Sequence, residues 1–297
     1  MDKRIPALFA ALVATSIFGF NHTIAKELMP DVLSPNALLY CRVLGAAIGF
    51  WVISLFFKNE KIDFKDFKLI ITCAFFGMGL NMITSLNGLY NSTPINSAII
   101  TTLAPIFIFI ISIFLLKEKI TKIKYLGVFI GFIGTLTLIL LNDKSIANAP
   151  NINLGNFYFF INSLSYAIYF VLVKPLTKKY SMITIMKWLF LFSIIINMPF
   201  GLLEFTKINW VEISGNSLIK ISYVVFCTTF LVYLLNLYAL KNLKASTVGM
   251  FIYLQPVIGI LFAIYRGADK LTIADISSVI MVFAGVYLVS KKSTQIT

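Results

Sequence analysis

The chain is 297 residues long, 59% apolar and only 12% charged, against roughly 25% charge in a soluble domain. Its net charge of +13 would admit a nucleic-acid partner, but the lysines and arginines sit in short segments between long apolar runs, where they orient helices in a bilayer. These figures exclude an ordinary soluble domain and point to a polytopic helical membrane protein.

The first apolar run, residues 5–25, is too long for a signal-peptide core and has no small-x-small cleavage site, so it is expected to stay as a helix. Further runs follow at 35–57, 67–89, 94–116, 122–141, 155–174, 182–203, 217–240, 245–265 and 273–290. Each is about the ~20 residues that span a hydrocarbon core. The expected fold class is therefore all-α integral membrane, with ten transmembrane helices. Short connections make neighbouring helices antiparallel. The longest connection, near residues 142–154, is polar, carries Pro150 and separates residues 1–141 from 155–297. Cys41, Cys73 and Cys227 lie inside apolar runs without paired spacing, and there is one histidine. No disulfide, metal site or cofactor is expected.

The two halves repeat one another. Sliding residues 91–121 onto 242–272 sets Pro105 on Pro256, Glu118 on Asp269, Lys119 on Lys270 and Thr121 on Thr272. With the N-terminus inside, the inner segments carry sixteen lysines and arginines and the outer ones five. That bias puts both termini in the cytoplasm and the chain in the inner (plasma) membrane as a multi-pass protein. Five spans per half is odd, so the second half enters the membrane upside down. Two inverted five-helix repeats are a transporter signature, with the cargo site near the midplane between them.

Several motifs resemble the drug/metabolite transporter superfamily, and within it the EamA-type carriers. They are Ser97, Ala98, Pro105, Glu118, Ile120 and Thr121 in and after the fourth span, and Gly127, Gly131 and Gly134 in the fifth. Phe18-Gly19-Phe20-Asn21 in the first span, Tyr166-Ala167 in the sixth and Arg42 early in the second complete the set. The chain departs from the pattern at Gln255, Asp269 and Ser278. The resemblance implies two EamA-like repeats and a small-molecule carrier whose cargo it does not specify.

A polar group in hydrocarbon must face a partner or a watery cavity. That rule selects the candidate cargo-binding residues: Asn21, Asn81, Ser85, Thr101, Thr102, Tyr166, Tyr169, Tyr233, Asn236, Tyr253 and Gln255. The competing reading is interhelical hydrogen bonding, at ~0.6 kcal/mol per bond. Pro105 and Pro256 are expected to kink their helices and free the carbonyls of Thr101 and Ile252. His22 and Arg42 are the gating or coupling candidates: His22 as the one titratable imidazole, Arg42 as an anion attractor or a snorkelling contact for Asp31 or Glu27. Glu118 is expected to salt-bridge nearby lysines. The carboxylates lie near span ends, so the working expectation is a facilitator or exporter of small metabolites such as amino acids, moving by alternating access. A multidrug efflux carrier and a non-transporting scaffold are the alternatives. A membrane enzyme would need a nucleophile–base set that one histidine does not supply. The expected partners are a small-molecule cargo and the lipid bilayer, with no nucleic acid; a homodimer is an open option.

Overall fold

The computed structural model describes residues 3–58, 60–92, 97, 100–118, 121–141, 150–258 and 273–290. Among them every regular element is a helix. In order these are α1 (Arg4–Leu28), α2 (Pro35–Ser54), α3 (Phe64–Asn91), α4 (Leu103–Leu116), α5 (Lys122–Leu141) and α6 (Ile152–Leu172). There follow α7 (Met182–Thr206), α8 (Gly215–Asn242), α9 (Ala245–Ile258) and α10 (Ile273–Ser290). Among the described residues, α1, α2, α3, α6 with the turn after it, α7 and α8 are long and apolar enough to cross a bilayer. Large apolar side chains, among them Phe9, Phe64, Phe114, Phe129 and Tyr287, face outward. Lipid solvates such a surface and water does not.

Local chemistry sets the helix starts. Ser34, Ser181, Ser214 and Asn151 each accept a hydrogen bond from the backbone N–H three residues on, capping α2, α7, α8 and α6. Pro35 opens α2, where its missing N–H costs nothing. The sequence places the third span at 67–89, but Asp63 and Phe64 start α3 earlier.

α2 and α7 run antiparallel. At one end Ser34 and Asn36 donate to the Glu204 carboxylate, Asn36 Nδ2 at 3.0 Å. At the other, the Ser181 amide donates to Glu60 at 2.7 Å. Between these ends Phe50 stacks on Phe190 at 5.4 Å and Trp51 meets Trp188 edge-on at 5.8 Å. α5 and α10 approach backbone to backbone at Gly285, where a Cβ would lie 2.6 Å from the Gly127 carbonyl oxygen. Small residues permit this approach in a membrane.

α3 and α8 are each interrupted by a π-helical stretch, Phe75–Leu80 and Tyr223–Leu231. Widening the helix releases carbonyls from the usual ladder. In α3 other helices take them: Ser165 donates to the Phe76 carbonyl at 2.6 Å, Tyr233 to Gly77 at 3.2 Å and Asn197 to Met78 at 3.1 Å. The π stretch of α3 is thereby tied to α6, α7 and α8, and the cavity begins just beyond it.

Candidate functional site

A cavity of about 80 Å³ lies where α1, α3, α4, α6, α8 and α9 meet. That is several times the ~10–15 Å³ one water needs.

Each wall is fixed by a local cause. α1 brings Phe18 and Asn21 to the cavity. Between them Gly19 lets α1 lie close on α9, since a Cβ there would be 3.2 Å from the Gln255 carbonyl. α3 brings Asn81, Met82 and Ser85. Asn81 and Asn162 of α6 exchange amide-to-carbonyl hydrogen bonds at 3.2 and 2.8 Å, locking the two helices together at the wall. Thr101, just before α4, donates to the Ser97 carbonyl at 2.8 Å. Pro105 lies one turn on and cannot donate to the Thr101 carbonyl. In α9 a 3₁₀ turn at Phe251–Tyr253 precedes Pro256 and exposes Ile252 and Gln255 to the cavity.

Aromatic and charged groups complete the lining. Tyr166 of α6 accepts a hydrogen bond from Asn236 Nδ2 at 3.4 Å, and Tyr233 of α8 is held by the Gly77 carbonyl. Arg42 reaches in from α2 and is only 4% exposed. Its Nε–H donates to Thr229 Oγ1 at 2.9 Å, in the π stretch of α8. Arg42 is the one charged residue among those lining the cavity.

The cavity gathers Asn21, Arg42, Asn81, Ser85, Thr101, Tyr166, Tyr233 and Gln255. Other expected site residues lie off it. Tyr169 is buried behind the wall, its ring 6.2 Å from those of Tyr166 and Tyr233. Asn236 lies off the lining and, among the described residues, reaches the site through Tyr166. Thr102 is buried outside the lining. Tyr253 packs against Gly131, and its hydroxyl has no hydrogen-bond partner among the described residues. The side chain of His22 lies outside the described residues. Among the described residues Arg42 is buried and bonds Thr229 rather than Asp31 or Glu27, and Glu27 pairs with Lys220 at 2.6 Å. Glu118 accepts from the Ala245 amide at 2.9 Å and the Ser246 hydroxyl at 2.6 Å, fastening the end of α4 to the start of α9. Asn162 went unpredicted, although it precedes Tyr166 by one helical turn and so shares its face.

Polar side chains gathered in one cavity within a bundle of apolar helices suit a membrane transporter. The chain belongs to the EamA-like transporter family, whose model matches residues 5–140 and again 153–291. That family lies within the drug/metabolite transporter superfamily. An uncharacterized transporter of Archaeoglobus fulgidus is 30% identical over 88% of this chain and 90% of its own length. The uncharacterized transporter YetK of Bacillus subtilis is 24% identical over 99% of this chain and 90% of its own. A WAT1-related protein of Arabidopsis thaliana is 23% identical over 97% and 82%. One crystal structure, at 14% identity, superposes with a TM-score of 0.77 over 96% of this chain and 97% of the other, a likeness of fold. The chain is a multi-pass membrane transporter, and this family points to transport rather than catalysis.

Proposed function

We propose that the chain is a secondary transporter that moves small metabolites, amino acids among them, across the inner membrane by export or facilitation. It works by alternating access around the cavity at Arg42, Asn81, Tyr166 and Tyr233. The observation that carries this reading is the lining itself: polar side chains from both halves of the sequence meet in one cavity. Binding there is exposed to one side or the other as the halves rock.

Paired features support two inverted five-helix repeats, residues 1–141 and 155–297, joined by a linker at 142–154. The family model matches twice. The third helix of each half carries a π stretch. Lys26, at the end of α1, donates to the Leu89 carbonyl at 2.7 Å, and Lys174, just after α6, donates to the Leu240 carbonyl at 3.0 Å. The carboxylate of Glu204 accepts from Ser34 and Asn36 at the start of α2, and that of Glu60 accepts from the Ser181 amide at the start of α7. With the charge bias of the loops, this arrangement has both termini in the cytoplasm.

The test is uptake into proteoliposomes, with competition across an amino-acid and metabolite panel and a cationic dye for the multidrug alternative. Saturable uptake of a small metabolite is expected. Uptake no greater than in empty liposomes, across the whole panel, would overturn the reading. A pH-gradient response that survives His22→Ala removes His22 from coupling.

A further inference from the structure

The cavity holds a charge without a countercharge. Arg42 is 4% exposed and lines the space. Among the described residues its hydrogen bond is the one from Nε to Thr229, and no carboxylate lies within ion-pairing distance. A buried cation left unpaired is expensive, and proteins ordinarily pair it with an anion or hydrogen-bond it fully. The Nε–H bond uses one edge of the guanidinium. The two terminal nitrogens keep the fork of donors that matches a planar carboxylate.

A second open group lies on the same lining. The Asn21 Oδ1 is buried and has no hydrogen-bond partner among the described residues. It is an acceptor waiting for an N–H or O–H. The walls also carry the rings of Tyr166 and Tyr233, surfaces on which an ammonium group can rest. One fixed positive charge among the lining residues suits a monoanion better than a phosphate, whose charge at neutral pH exceeds one.

We propose that Arg42 is the carboxylate seat of the cargo site, so that the cargo is a small metabolite with a single carboxylate, the amino-acid type included. Asn21 then receives a donor of the same molecule. This assignment rests on the cavity being the cargo site proposed above.

The test uses the purified full chain in detergent and measures thermal stabilisation by acids and their amides. The pairs are propionate with propionamide, alanine with alaninamide, and phenylalanine with phenylalaninamide; inorganic phosphate is a separate arm. At least one acid should stabilise the protein with at least tenfold higher affinity than its amide, and phosphate should not match it. Arg42→Gln should abolish that preference, and Arg42→Lys should keep part of it. Equal stabilisation by acid and amide, stabilisation by none of the acids, or an unchanged preference in Arg42→Gln overturns the proposal. So does phosphate equal to the best acid. Should Arg42→Gln fail to fold, the wild-type acid–amide comparison and Arg42→Lys decide. Flux of the same compounds into proteoliposomes separates the two readings. Acid-selective binding without flux sinks transport and leaves the seat standing. Flux that treats acid and amide alike sinks the seat and leaves transport standing.

Discussion

Lys117 ends α4 in the left-handed region, at φ 50° and ψ 40°, a conformation that costs a side chain roughly 1–2 kcal/mol. The turn carries Glu118 across to α9. Lys117→Gly should therefore stabilise the protein by up to about 1 kcal/mol in thermal unfolding, with unchanged hydrogen exchange in α9. Glu118→Ala should do the opposite: a loss of about 1 kcal/mol, as for other helix caps, and faster exchange at the amides of Ala245 and Ser246. The sequence pointed to Glu118 as a salt-bridge partner of nearby lysines; its contacts with the Ala245 amide and the Ser246 hydroxyl were not legible there, because α4 and α9 are far apart along the chain. Glu60 supplies a pH test. Partial burial works against its charge, but the Ser181 amide, the hydroxyls of Thr184 and Ser181, and Lys241 outweigh it and hold the carboxyl below its ordinary range. A lowered folded pKa gives stability that is complete above the unfolded value of ~4.3 and is lost as pH falls through the folded one. Acid unfolding of Glu60→Gln should accordingly show a shallower fall in melting temperature below about pH 4.3 than the native chain.

At the scale of the helix, close approach decides the outcome. A Cβ at Gly285 would sit 2.7 Å from the backbone nitrogen and Cα of Gly131, with nothing flexible to move aside. Gly285→Ala should push α5 and α10 apart and cost about 1–3 kcal/mol. Gly215, at the start of α8, has nothing within 4 Å of its would-be Cβ. Gly215→Ala should be neutral or stabilising by up to ~1 kcal/mol. Thermal melts in one detergent compare the two; equal effects would remove the packing account. The helices were legible because a long uncharged run is a length signal that the bilayer imposes. The π stretches were not. One widened turn leaves hydrophobicity unchanged, and nothing in the sequence marks Gly77 as the residue that yields its carbonyl to Tyr233.

For the whole molecule, the polar residues of the apolar runs divide between the cavity lining and hydrogen bonds among the helices, the two places where hydrocarbon tolerates them. Asn81, Ser85 and Tyr166 followed from that rule. It misled at Tyr169 and Tyr253, whose rings fill space behind the wall; a tyrosine satisfies the same rule as a packed aromatic. Thr229 as the partner of Arg42 could not be foreseen, since the contact of α2 with α8 is a property of the packed bundle. The claim that this cavity opens alternately to the two sides of the membrane is tested by single-cysteine accessibility. Cys41, Cys73 and Cys227 are replaced by alanine, Ser85→Cys is introduced, and the protein is reconstituted in liposomes. A membrane-impermeant thiol reagent is then applied from one face at a time. The account predicts modification from either face. Modification from one face alone, or from neither, would contradict it.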